Sequence, residues 1–127
     1  MKIFIKLFIL TGLTFVFNSC QSQPIRLTPN EFEEAISKPN VQLIDIRTPE
    51  EFSRGHIKNA KNIDFYSANF QDQMSKLDKT QPLYIYCASG NRSGQALKQL
   101  SNLSFNEFGD LQGGIKVWNQ AQKRIVN

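Results

Sequence analysis

The sequence predicts a single α/β domain, with a mostly parallel central sheet and helices on both faces. Three observations predict it. Short runs of branched and aromatic apolar residues, suited to strands buried on both sides, alternate with segments whose apolar residues recur at helical spacing, and no internal repeat or low-complexity tract interrupts the order. The 127 residues are enough for one compact domain and too few for two of ordinary size. With 40% hydrophobic residues, ten Phe and only two Cys, the chain must fold on an apolar core and not on a disulfide framework.

Residues 1–19 stand apart from that domain. They hold twelve apolar residues, Lys2 and Lys6, and no acid, the layout of a secretory signal with a basic start and an apolar stretch. Past Lys6 the apolar run lasts about eleven residues, where crossing a bilayer takes roughly twenty, so an uncleaved transmembrane anchor is the weaker alternative. The stretch ends in Phe17-Asn18-Ser19-Cys20, which resembles the lipobox of bacterial lipoproteins. That resemblance implies a lipoprotein-type signal peptide over 1–19 and acylation of Cys20. The protein would then be exported and anchored by its N-terminal lipid to a bacterial membrane, facing the periplasm or the cell exterior. Phe17 and Asn18 depart from the strict pattern, so release as a soluble periplasmic protein stays open.

Without residues 1–19 the chain carries 13 Lys+Arg against 11 Asp+Glu, and its net charge falls from +4 to +2. The remaining cations are scattered singly, which argues against nucleic acid as a partner. If Cys20 is acylated, Cys87 is the only free thiol and no intramolecular disulfide can form.

Residues 20–27 read as the lipidated N-terminus and a polar tether, and the domain as 28–127. Thr28-Pro29-Asn30-Glu31 carries a helix start, with a Thr cap, Pro in the first turn and Glu closing a capping box. Phe32, Ala35 and Ile36 give that helix an apolar face, and Pro39-Asn40 should end it. Residues 41–46 form an apolar run suited to a buried parallel strand. Thr48-Pro49-Glu50-Glu51 repeats the capping logic for a short helix broken at Gly55, and residues 62–65 read as a short strand. Phe70, Met74 and Leu77 set a helix over 68–77, and Pro82 precedes a strand over 83–86. A helix over 93–103 places Ala96, Leu97 and Leu100 on one side. Residues 105–108 read as the last strand, and Gly113-Gly114 opens a final helix with Ile115, Val117 and Trp118.

Sheets of this class hold their ligands beyond the carboxyl ends of strands, where Cys87 falls. The loop of Ala88, Ser89, Gly90, Asn91, Arg92 and Ser93 leads into a helix, so its N–H groups and the helix dipole can surround the sulfur. Gly90 permits a tight turn, and Arg92 adds a positive charge that can hold an anionic substrate. The bland alternative is a buried strand-end Cys beside a solvent-facing Arg. Asp45 and Arg47, at the end of a central strand, read as a buried pair supporting the site loops. His56, the single histidine, has no Cys or acid cluster at ligand spacing. Neither a metal nor a cofactor is expected. Tyr84, Tyr86 and Trp118 read as packed core.

Three segments, taken together, resemble the rhodanese family across nearly the whole domain. Asp45-Ile46-Arg47-Thr48-Pro49-Glu50-Glu51-Phe52-Ser53-Arg54-Gly55-His56-Ile57 is similar to its D-[VI]-R…E-[FY]…G-H-I signature, with Ala60 and Asn62 in its A-x-N continuation. Cys87 to Ser93 resembles its C-x-x-G-x-R-S loop. Leu111-Gln112-Gly113-Gly114-Ile115-Lys116-Val117-Trp118 resembles its L-x-G-G-[IF]-x-x-W ending. The resemblance implies a single rhodanese-like domain acting as a sulfurtransferase. In that chemistry Cys87 takes sulfane sulfur from thiosulfate or a related small donor as a persulfide and passes it to a thiol or cyanide. It also implies a supporting, non-catalytic His56.

Two rivals stay in view, one from the same fold family and one from another class. A phosphatase of this fold family carries C-x5-R around a bulky phosphate, whereas Cys87 to Arg92 is C-x4-R. A non-enzymatic, membrane-tethered binding or sulfur-carrier module is the stronger alternative, because Ala88 and Ser89 bring no charge next to the cysteine. The lipobox reading has a direct measurement: a labelled fatty acid fed to cells should tag the wild-type protein and fail to tag Cys20→Ala. Equal tagging of both would overturn it.

Overall fold

Two capping boxes set where the chain first turns helical. Thr28 Oγ1 accepts from the Glu31 amide at 3.4 Å while Glu31 Oε2 accepts from the Thr28 amide at 2.9 Å, and Thr48 and Glu51 repeat the exchange at 3.3 and 3.2 Å. In a computed structural model these boxes open α1 (Pro29–Ile36) and α2 (Pro49–Ser53). The structure describes residues 21–127 together with Gly12, Phe15 and Val16. The rest of the expected leader, and Cys20, lie outside the described residues. Among the described residues no helix is long and apolar enough to cross a membrane.

Five short strands make one sheet in the order β1-β5-β4-β2-β3, every neighbouring pair parallel. They are β1 (Ile25–Leu27), β2 (Gln42–Asp45), β3 (Lys61–Asn62), β4 (Leu83–Tyr86) and β5 (Phe108–Leu111). The remaining helices are α3 (Phe70–Ser75), α4 (Asn91–Leu100) and α5 (Gly114–Gln120). Strand alternation divides the core into two layers. Ile44, Leu83, Ile85 and Phe108 meet Phe70 and Met74 of α3 and Ala96, Leu97 and Leu100 of α4 on one face. Leu43, Tyr84, Tyr86 and Leu111 meet Phe32 and Ala35 of α1 and Ile115 and Trp118 of α5 on the other.

Several expected bounds change: the strand expected over 62–65 is only Lys61–Asn62, and the helix expected over 93–103 is Asn91–Leu100. The last strand is Phe108–Leu111, not 105–108, because its register sets Phe108, Gly109 and Asp110 against Leu83, Tyr84 and Ile85. A glycine and a buried acid concealed that strand from an apolar-run reading, and Phe105 packs in the core from outside the sheet. Residues 25–27, expected in the tether, pair instead with Gly109, Asp110 and Leu111 as an edge strand. Gly109 makes this approach possible: a Cβ there would stand 2.3 Å from the Ile25 carbonyl oxygen.

Phe32 organises the second layer. Its ring, fully buried, meets Tyr84, Tyr86 and Trp118 edge-on with centroids 6.0, 6.4 and 6.2 Å away. Phe32→Ala should therefore cost about 3–5 kcal/mol of stability, read as a lowered urea midpoint at unchanged slope. A loss under about 1 kcal/mol would mean that the layer closes over the gap.

Candidate active site

The middle strand delivers the cysteine. Cys87 directly follows β4, which lies between β5 and β2, and only 1% of its surface is exposed. The chain then reverses through Gly90, whose φ of 94° is left-handed backbone that a residue with a side chain rarely adopts, and enters α4. No side chain caps α4, so its first-turn amides are free for another acceptor. They find the sulfur: the Gly90 N–H donates to Cys87 Sγ at 3.1 Å and the Ser93 N–H at 3.4 Å. The thiol itself donates toward Ser93 Oγ at 3.6 Å. Amide donors at the positive end of a helix suit a sulfur that carries negative charge.

The loop is fastened from two sides. Amides at the start of α5 donate to its carbonyls, Ile115 to Cys87 at 2.9 Å and Lys116 to Ala88 at 3.1 Å. From β5, the buried Asp110 carboxylate accepts the Ser93 hydroxyl at 2.6 Å. Arg26 of β1 donates to both oxygens of Asp110, at 2.9 and 2.8 Å, and to the Gly90 carbonyl at 3.0 Å. That exchange holds the Arg26 guanidinium above its ordinary value, through the Asp110 bonds first and despite some burial. Neither Arg26 nor Asp110 was legible as a site residue. Each is a lone charge in a short strand, and Arg26 falls in the polar stretch that reads as a tether.

Arg92 lies beside the loop, but its charge is engaged. Its guanidinium grips Glu51 through two bonds, of 2.8 and 3.0 Å, and lies 5.6 Å from the centre of the Tyr66 ring. Glu51 thus serves as cap of α2 and as partner of the loop arginine. The Arg92 bonds above all, helped by Thr48 against partial burial, hold its carboxyl at about 2. Of the other expected loop residues, Ser93 and Gly90 face inward, Ala88 is half-buried, and Ser89 and Asn91 are exposed at the rim.

Asp45 and Arg47 form a buried ion pair at the end of β2, closed at 2.7 Å. Arg47 Nη2 also donates to the Gly55 carbonyl at 2.7 Å, and Asn62 Nδ2 donates to the Asp45 and Arg47 carbonyls at 3.0 and 2.8 Å. Burial would lower the Arg47 guanidinium, but the Asp45 bonds outweigh it and leave it raised. The pair fastens α2 and β3 to the sheet and makes no hydrogen bond to Cys87. His56 stacks on Phe52 with ring centroids 3.8 Å apart and bridges Val126 through its backbone. Among the described residues no three His, Cys, Asp or Glu gather as metal ligands would.

A family model described as the rhodanese-like domain matches residues 28–121. The chain is 37% identical over 92 residues to the uncharacterized protein YqhL of Bacillus subtilis, which covers 72% of this chain and 70% of that protein. It is 33% identical over 93 residues to the thiosulfate sulfurtransferase GlpE of Ectopseudomonas mendocina, covering 73% of this chain and 83% of that one. Among solved structures, it is similar to a rhodanese-related protein from Thermoplasma volcanium, at a TM-score of 0.70 and 28% identity over 83% of this chain and 98% of that one. A rhodanese-like domain protein from Staphylococcus aureus matches at 0.64 and 29%, over 74% and 91%.

The Glu51 carboxyl gives stability a pH signature. Its value falls from 4.5 to about 2 on folding, so its contribution is complete above pH 4.5 and is lost as the pH falls toward 2. Glu51→Gln, which loses the ion pair, should be less stable than wild type by about 1 kcal/mol at neutral pH. Urea midpoints measured across the acid range should show this gap closing between pH 4.5 and 2. A gap of constant size would show that Arg92 does not hold the carboxylate.

Proposed function

The chain belongs to the rhodanese-like domain family, and on that premise we propose that it is a sulfurtransferase with Cys87 as its nucleophile. The Cys87 thiolate attacks the outer sulfur of thiosulfate or a related small donor. A sulfur–sulfur bond forms to Cys87, the donor's own bond to that sulfur breaks, and for thiosulfate sulfite departs with the electron pair. A thiolate or cyanide then attacks the terminal sulfur of the persulfide and regenerates the Cys87 thiolate, leaving a new persulfide or thiocyanate. Both steps are displacements at sulfur, and ping-pong kinetics follow.

The observation that carries this reading is the pair of amides on Sγ, from Gly90 at 3.1 Å and Ser93 at 3.4 Å. Fixed amide dipoles stabilise a sulfur anion as attacking and as leaving group without a general acid or base. The six-residue ring from Cys87 to Arg92 supports transfer of a single sulfur atom over that of a phosphoryl group. With Arg92 bound to Glu51 and no other charged side chain between 88 and 93, amides and not a free guanidinium recognise the donor from within the loop. In the same reading the enzyme works at a membrane surface, held by lipid on Cys20, as the lipobox resemblance supports.

Intact mass of the purified protein should rise by one sulfur atom on treatment with thiosulfate and return on addition of cyanide. Cys87→Ser should gain nothing while unfolding at a similar temperature. A folded, reduced wild type that gains no sulfur from thiosulfate, polysulfide or a small-molecule persulfide would overturn the assignment in favour of a binding module.

A further inference from the structure

Arg26 lies outside the segment that matches the family, 28–121, yet it is bonded to the cysteine loop. It occupies the middle of β1, an edge strand of three residues, with 43% of its side chain exposed. Its Nε and Nη2 close on both oxygens of Asp110, and the same Nη2 reaches the Gly90 carbonyl. The Asp110 oxygen that meets Nη2 also takes the Ser93 hydroxyl at 2.6 Å. Gly90 and Ser93 are the two residues whose amides point at Cys87 Sγ. A continuous set of bonds therefore runs from the edge strand to the sulfur.

The charges in that set constrain the chemistry. Ser93 has one hydroxyl proton, and the 2.6 Å bond assigns it to Asp110 in preference to the Gly90 carbonyl at 3.3 Å. The Ser93 oxygen is then left facing Sγ as an acceptor, with a carboxylate directly behind it. Asp110 is fully buried, and an unpaired carboxylate one hydroxyl away would oppose negative charge on the sulfur. Arg26 supplies the missing positive charge. It also fixes the carbonyl of the residue whose left-handed turn aims the first amide.

We propose that Arg26 is a positioning residue for the Cys87 site, neutralising Asp110 and pinning the Gly90 carbonyl so that the sulfur faces amide donors and no bare carboxylate. The kinetic form of this inference rests on the sulfurtransferase reading. The reactivity of the thiol does not.

The test uses the full-length protein and two readouts. Iodoacetamide alkylation of Cys87 at neutral pH reports on the thiol whether or not sulfur is transferred. Arg26→Gln should slow it by about five- to tenfold, Arg26→Lys should fall between Arg26→Gln and wild type, and the double variant Arg26→Gln with Asp110→Asn should recover most of the rate. A merely structural role gives the opposite pattern, because a loosened loop exposes the thiol and the second substitution loosens it further. In thiosulfate-to-cyanide transfer, Arg26→Gln should lower kcat with little change in KM for thiosulfate. Arg26→Gln alkylated at the wild-type rate or faster, or a double variant no faster than Arg26→Gln, would overturn the proposal. Its exposed position at an edge favours folding of Arg26→Gln, and Arg26→Lys answers the same question if the Gln variant fails to fold. A wild type inactive toward every donor, with the alkylation pattern as expected, would sink the sulfurtransferase reading and leave the role of Arg26 standing.

Discussion

Cys87 Sγ, buried at the end of the middle strand of a sheet covered on both faces, is cut off from water, and the protein itself has to supply its hydrogen-bond partners. Much of the site's architecture follows from that constraint. The amides come from the uncapped start of α4, and they can point inward only because the chain reverses at Gly90. Buried carbonyls need partners too, and the start of α5 supplies them to Cys87 and Ala88. The final helix thus has a second role besides covering the sheet with Ile115 and Trp118.

The charges around the cysteine come in closed pairs. Asp45 with Arg47, Glu51 with Arg92, and Asp110 with Arg26 each join a carboxylate to a guanidinium. Each pair also ties two parts of the fold together: β2 to the end of α2, α2 to the loop, and β1 to β5. A buried or half-buried carboxylate without its partner would be costly and would leave an uncompensated negative field beside the buried sulfur. Pairing removes that field, and the backbone amides remain as the donors on the sulfur. What the sulfur meets is then set by backbone geometry, which side-chain identity alone does not display.

The legible elements were those with local causes. The capping boxes at Thr28 and Thr48 announced α1 and α2 because Thr, Pro and Glu act within four residues of one another. The runs around Leu43 and Tyr84 announced β2 and β4 through their branched and aromatic apolar residues. Of the site, Cys87 and its loop could be read because a strand, a glycine and a helix start follow in immediate succession. Glu51 was visible as a cap but not as the partner of Arg92, forty-one residues away. Strand β5 was displaced by a turn's length because Gly109 and Asp110 carry none of the usual strand signals, and both are there for contacts with β1.

Periodicity, capping and turn chemistry act over a few residues, and they suffice for the α/β class, the two-sided core and the cysteine at a strand end. The surroundings of the sulfur come instead from long-range packing. Parallel pairing carries β1 across to β5, and so sets Arg26 against Asp110 and Gly90, eighty-four and sixty-four positions along the chain. That juxtaposition depends on sheet order and on one glycine thin enough to let two backbones meet, and neither has a signature in any short stretch of residues.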